Sequence, residues 1–250
     1  MRPAQTSQQC PHNPAVSCSK CRLSAICLPL ALESDEIVKL DNIVQRGRPL
    51  QKNRHIFREG DEFGSVFAVR SGAVKTYSIT DAGEEQVTGF YFPGEVVGLD
   101  GIGQNRYANS AVSLETAAIC EIPFSQIEQL SGHIPNLRRH FFKLLSSEIV
   151  EDQRHITLLS KNTAEERLAS LLVSISARQA RRGLSSSAFR LPMSRADIGS
   201  FLGLTVETVS RVFSRFAKQG LVKIDNKDLS DLNVEGLKAI ANVHDEHCAR

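Results

Sequence analysis

Residues 193–222 read MSRADIGSFLGLTVETVSRVFSRFAKQGLV. Ser194 and Asp197 make an S-x-x-D pattern at a helix start, where side chains satisfy the first-turn N–H groups that have no partner within the helix. Ile198, Phe201 and Leu202 form the buried face of that helix, Gly203 breaks it, and Thr205 caps the next. In the second helix Val206, Val209, Val212, Phe213 and Phe216 are expected to point inward. Glu207, Thr208, Ser210, Arg211, Ser214 and Arg215 are expected to point outward. Such a short, polar and basic set suits a DNA major groove. Arg211 can make a bidentate contact with guanine, Glu207 can accept from cytosine N4, and Ser210 can reach a base edge or phosphate. A helical hairpin with a solvated face and an i,i+4 Glu–Arg pair gives part of the same pattern. The DNA reader is the preferred of the two readings. LVKIDNKDL, which follows, reads as a β-hairpin wing.

The charge agrees. The net charge of the chain is +2, but residues 161–223 hold eleven Lys/Arg against four Asp/Glu, a net of +7. Residues 1–160 hold sixteen against eighteen, and the tail from 224 holds three against six. The positive charge is thus concentrated around the helix pair, as phosphate contact requires. The 250 residues suggest two domains. No apolar run is long enough to span a bilayer, and the polar N-terminus lacks a signal-peptide core. A cytoplasmic protein is expected.

From about 50 to 123, Gly60, Gly72, Gly83 and Gly94 punctuate SVFAVR, AVKTYSIT, QVTGFYF and EVVGLD. Regular turns around β-branched and aromatic runs favour a sandwich or barrel. Residues 135–160 read as one long helix opened by Pro135. Phe141, Leu145, Ile149, Ile156 and Leu159 repeat along it at steps of four and three, with Asp152 in the gap. Such a stripe is usual in ordinary core packing; on a helix linking two domains it also suits a parallel coiled-coil dimer. Asp152 would then face its symmetry mate, and paired like charges would make the dimer weak and switchable.

Near the N-terminus, VSCSKCRLSAICLP places Cys18, Cys21 and Cys27 as C-x2-C-x5-C, and Cys120 lies far along in AICEIP. Three clustered thiols and one distant thiol can close round a single metal centre. Thiolates bind zinc or iron–sulfur clusters, and spacing alone does not choose between them. Cys10 or His12 could complete a local zinc site without Cys120, although Cys10 and Cys248 lie in polar terminal segments and read as bystanders.

The motifs CSKCRLSAICLP, AVRSGAVKTYSITDAGEEQVTGF, ETAAICEIP, LSKNTAEERLA and LGLTVETVSRVFSRF together resemble oxygen-sensing regulators of the FNR type, including the ANR branch, in the CRP/FNR superfamily. The resemblance runs from Cys18 to about 224. It implies an α+β fold: an N-terminal cyclic-nucleotide-binding-like β-roll (a jelly roll), a long dimerisation helix and a C-terminal winged helix-turn-helix. The implied segments are 1–30 (tail and cysteine segment), 31–133 (sensory roll), 134–160 (dimer helix) and 161–250 (DNA-binding domain). It implies one [4Fe–4S] cluster per subunit on Cys18, Cys21, Cys27 and Cys120. Intact, the cluster favours a homodimer; oxygen degrades it through a [2Fe–2S] form and the protein reverts to monomer. Glu207, Ser210 and Arg211 match the family's recognition triad, implying a two-fold DNA site of the TTGAT-N4-ATCAA kind. Ile149, Asp152 and Ile156 match dimer-helix positions. Ser71, the turn with Ile79, Thr80, Gly83 and Glu84, Thr116 and Arg182 match exposed loops that touch RNA polymerase.

Two other readings compete. A small-molecule-gated regulator of the same fold needs a Gly-Glu turn and an Arg-Ser/Thr pair; Gly94 and Glu95 are present, but Arg106 is followed by Tyr107. An enzyme would need a nucleophile–base constellation or a phosphate-binding glycine loop, and neither is found.

Overall fold

A computed structural model describes residues 16–242; Cys10, His12 and Cys248 lie outside them. The described residues group into two compact units: residues 16–74, 91–107 and 111–138, and residues 75–90, 108–110 and 139–242.

Along the chain, short turns at Cys18–Lys20 and Leu28–Ala31 come first, then helix α1 (Ser34–Ile43). Glu36 opens α1 by accepting the Glu33 N–H at 2.9 Å, and Leu40 is its buried anchor. Strands β1 (Gln45–Arg46), β2 (His55–Phe57), β3 (Ser65–Ser71), β4 (Val74–Ile79), β5 (Glu85–Tyr91), β6 (Val96–Val97), β7 (Ser110–Ser113) and β8 (Ala118–Pro123) follow. They form two four-stranded sheets, ordered β1-β8-β3-β6 and β2-β7-β4-β5. The four recurring glycines all turn the chain with positive φ. Gly72 is the most constrained, since a Cβ there would lie 2.5 Å from the Thr116 carbonyl oxygen. Phe57, Phe67, Val69, Val74, Val97 and Tyr107 form a core drawn from both sheets. Helix α2 (Phe124–His133) closes this part.

Helix α3 (Pro135–Lys161) starts in the first unit, where Leu137 is fully buried, and carries the chain into the second. Helix α4 (Ala164–Arg181) opens with Thr163 and Glu166 capping each other's backbone N–H groups. Helices α5 (Arg195–Leu202) and α6 (Val206–Lys218) follow a short strand β9 (Phe189–Arg190). Strands β10 (Lys223–Asp225) and β11 (Asp228–Ser230) make the expected wing, in a sheet ordered β10-β11-β9, before α7 (Val234–Ala241). Arg167 fastens this unit: its guanidinium donates to the carbonyls of Leu159, Asn162 and Leu202 at 2.7, 2.9 and 2.9 Å. Lys75 and Asp197 meet at 2.8 Å in the same unit. Among the described residues no helix is long and apolar enough to cross a membrane.

Candidate cysteine centre and DNA-reading helix

The cysteine segment folds on itself through backbone hydrogen bonds, Cys21 N–H to Cys18 at 3.3 Å, Ser24 N–H to Cys21 at 3.1 Å and Cys27 N–H to Leu23 at 2.9 Å. These turns bring Cys18, Cys21 and Cys27 to one cavity. Cys120 reaches it from β8, the strand between β1 and β3, where it stands opposite Arg46 on one side and Ala68 on the other. Residues opposite one another in an antiparallel pair share a face. The four thiols are free and half-buried. They line a small cavity walled elsewhere mainly by Leu23, Leu28, Leu40, Val44 and Ile122.

The thiols are close enough to influence one another: Cys120 feels Cys21, and both Cys18 and Cys27 feel Cys120. Burial pushes Cys18 and Cys27 up to about 12, and Asp41 adds to the shift at Cys18. Burial also raises Cys120, against the pull of Arg46 and Arg70. Binding a metal centre therefore has to displace protons. Among the described residues no three His, Cys, Asp or Glu side chains are grouped to hold one metal ion. Thiolates hold zinc or iron–sulfur clusters, and the donor set here, four thiols at one largely apolar cavity, fits a thiolate-bound centre.

Two groups beside the thiols escape the sequence reading. Arg46 Nη2 donates to Cys18 Sγ at 3.1 Å and to Asp41 Oδ1. The same Asp41 oxygen accepts the Cys18 N–H at 2.8 Å. The only sequence signal is an Arg in a two-residue strand, and its register against β8 is invisible before folding.

The position where a nucleotide receptor would begin its phosphate turn is also occupied. A Cβ at Gly94 (φ 96°) would stand 2.8 Å from Ile26 Cδ1, so this glycine is where the cysteine segment seats. Tyr107 stacks on Phe57 with ring centroids 3.9 Å apart and donates its hydroxyl to Ser65 O at 2.7 Å. Arg106 donates to Gly60 O at 2.6 Å. The core holds a stacked aromatic where the cassette would need a Ser or Thr.

In the second unit, Ser194 and Asp197 form the reciprocal cap read from the sequence, and Gly203 ends α5 with φ 62°. Thr205 Oγ1 accepts the Thr208 N–H at 3.2 Å at the start of α6. A Cβ at Gly199 would lie 2.5 Å from Leu204 O, so the turn between the helices needs glycine there. Val209, Val212, Phe213 and Phe216 are buried. Val206 is the exception to the inward set: in the first turn, ahead of the packed face, it is exposed. Glu207, Ser210, Arg211, Ser214 and Arg215 are exposed and Thr208 is half-buried. Ser210 and Ser214 turn their hydroxyls back to Val206 O and Ser210 O at 2.8 and 2.9 Å. Arg215 is ion-paired with Glu165 of α4.

On α3 the structure shifts the expected stripe by one residue at its start. Phe141 is buried, whereas Phe142 is 64% exposed, with Ile149 at 58% and Ile156 at 66%. Phe142, Ile149 and Ile156 are seven apart; Leu145 and Asp152 fall between them and Leu159 follows, giving the alternating step of a coiled-coil seam. Phe141 is therefore packed within its own chain, and the exposed stripe begins at Phe142.

The loop residues divide. Ile79, Thr80, Gly83 and Glu84 are exposed at a turn closed by Gly83 N–H to Thr80 O at 2.8 Å, and Thr116 is exposed. Arg182 caps the end of α4 and is half-buried. Ser71 corrects the expectation of an exposed loop. It is the buried last residue of β3, its hydroxyl accepting the Ala118 N–H at 3.3 Å.

Residues 47–133 match the cyclic nucleotide-binding domain family and residues 166–240 the Crp-like helix-turn-helix domain family. The transcriptional activator protein Anr of Pseudomonas aeruginosa is 54% identical over 228 residues, 91% of this chain and 93% of that protein. The fumarate and nitrate reduction regulatory protein of Escherichia coli K12 is 46% identical over 227 residues, 91% of each. Among solved structures, FixK2 from Bradyrhizobium japonicum superposes with a TM-score of 0.74 at 27% identity, covering 81% of this chain and 99% of that one. The chain belongs to the FNR/ANR group of transcriptional activators within the CRP/FNR family.

Proposed function

We propose that this regulator responds to oxygen through a [4Fe–4S] cluster on Cys18, Cys21, Cys27 and Cys120. The observation that carries this reading is the convergence of three local thiols and one thiol from β8 on a single apolar cavity. When bound, the cluster supplies an oxygen-labile crosslink between the cysteine segment and β8. The chain's own residues relay its presence: Cys18 N–H is held by Asp41 of α1, and Glu36 of α1 accepts from Asn136 in the first turn of α3 at 3.3 Å. One helix thus touches both the ligand segment and the start of the dimer helix. Dimerisation along Phe142, Leu145, Ile149 and Ile156 would pair two α6 helices on a two-fold TTGAT-N4-ATCAA-type site, with Glu207, Ser210 and Arg211 reading bases and Thr208 and Arg215 beside them. The exposed turn from Ile79 to Glu84, Thr116 and Arg182 would face RNA polymerase, at promoters that are activated or repressed.

Anaerobically purified protein is expected to be coloured, with about four iron and four sulfide per chain. Single Cys→Ser changes at 18, 21, 27 or 120 should abolish both; Cys10→Ser and Cys248→Ser should not. Stoichiometric zinc without sulfide would overturn the cluster. The gate by a small molecule is disfavoured because Tyr107 stands stacked in the core, where that cassette needs a hydroxyl on its Arg neighbour.

A further inference from the structure

Arg46 and Asp41 lie beside the four cysteines without being ligands. Arg46 reaches one local ligand through its 3.1 Å contact with Cys18 Sγ, and its register places it directly across from the distant ligand, Cys120. Asp41 Oδ1 fixes both ends of that arrangement, taking the guanidinium and the Cys18 N–H together. The two side chains retain only 13% and 26% of their exposure. An ordinary ion pair tying α1 to β1 needs neither the bond to sulfur nor the shared carboxylate oxygen. Four thiolates on a cluster gather negative charge in a cavity whose other walls are mostly apolar, where solvent disperses it poorly. A fixed cation with an N–H on one sulfur offsets that charge.

We propose that Arg46, held in place by Asp41, is a positioning residue of the cluster site, which bonds a ligating sulfur and sets how firmly the cluster is held and at what potential it is reduced. The proposal rests on the cluster reading above. The test uses the full chain, assembled anaerobically, as wild type, Arg46→Gln, Arg46→Lys and Asp41→Asn. Iron and sulfide in the wild type are measured first. A wild type that takes up neither overturns the cluster and this inference together.

With the wild type loaded, two quantities are read: the decay of visible absorbance under an iron chelator without air, and the reduction potential. Arg46→Gln should lose its cluster roughly 10- to 100-fold faster, the range seen when groups supporting metal ligands are removed. Its potential should fall, because a positive charge and a hydrogen bond to sulfur both favour the added electron. Arg46→Lys restores the charge without the planar fork and should lie between the two. Asp41→Asn keeps an acceptor oxygen and loses the anion that holds Arg46, so its decay should also quicken, by less. Melting of the metal-free proteins should be alike. If Arg46→Gln fails to load, Arg46→Lys carries the test, with a lowered potential supporting the proposal. Wild-type potential and decay in a loaded Arg46→Gln would overturn it while leaving the cluster standing. So would equal loss in Arg46→Gln and Arg46→Lys with unchanged potential and a lowered melting temperature, since Arg46 would then only brace the fold.

Discussion

Phe141 and Phe142 are neighbours of the same type with opposite surroundings, so truncating each separates folding from association. Phe142 keeps 64% of its exposure within one chain. Covering that remainder recovers about two-thirds of the roughly 1.5–3 kcal/mol for burying a large apolar side chain, or about 1–2 kcal/mol. A two-fold dimer contains the contact twice, so Phe142→Ala should weaken dimerisation by about 2–4 kcal/mol, a dissociation constant raised roughly 30- to 1,000-fold. Its melting as a monomer should hardly change. Phe141→Ala removes a buried ring and should instead destabilise the fold by about 3–5 kcal/mol, whatever the oligomeric state. Sedimentation equilibrium of anaerobic protein and thermal melting of the metal-free chain read the two effects. If Phe142→Ala dimerises like the wild type while Phe141→Ala weakens the dimer at unchanged melting temperature, the seam runs through Phe141 and the reasoning fails.

Asp152→Ala removes a charge from the centre of the same seam and should dimerise and bind its two-fold site in air; an aerobic variant that sediments as a monomer would show that Asp152 is not the gate. Arg211→Ala should lose roughly 1–3 kcal/mol at the guanine it reads and relax specificity there, checked by binding to single-base variants of the site; equal weakening on cognate and random DNA would count against the helix assignment. His155 stacks on Phe201 with centroids 4.1 Å apart, and burial holds its imidazole below the usual range despite Asp152 nearby. The unfolded chain takes up that proton at about pH 6.5 and the folded chain only at lower pH, so stability should drain away as pH falls below that value. Melting temperatures from pH 7.5 to 5.5 should therefore fall less steeply in His155→Phe than in the wild type.

The helix pair was legible because its signals are local. Ser194, Asp197, Gly203 and Thr205 lie within one or two turns of the groups they satisfy, and the apolar spacing of α6 needs no partner to interpret. Cys120 was placed in a strand correctly for the same reason. Val206 and Phe141 were misplaced because periodicity fixes which residues share a face but not where packing begins. Both stand near the start of a helix, where one residue of offset changes the answer. Ser71 departs from the expectation because β3 runs two residues past its apolar run, which ends at Val69. Arg46 could not have been found, since its meaning depends on pairing with Cys120, which only the sheet order of β1-β8-β3-β6 creates.

The pairing of Arg215 with Glu165 bears on how the protein moves along a chromosome. On the proposed DNA reading Arg215 would meet a phosphate already holding an anion of its own, so each encounter would be an exchange of partners rather than a simple gain. Random sequence is held almost entirely by phosphate contacts, and there the exchange weighs most heavily against the little that is gained. Dwell on non-cognate DNA would shorten, and the search for a site would speed up. At a cognate site Arg211 and Glu207 would add contacts that Glu165 does not contest, so the cost of that one exchange would be light beside what the bases return.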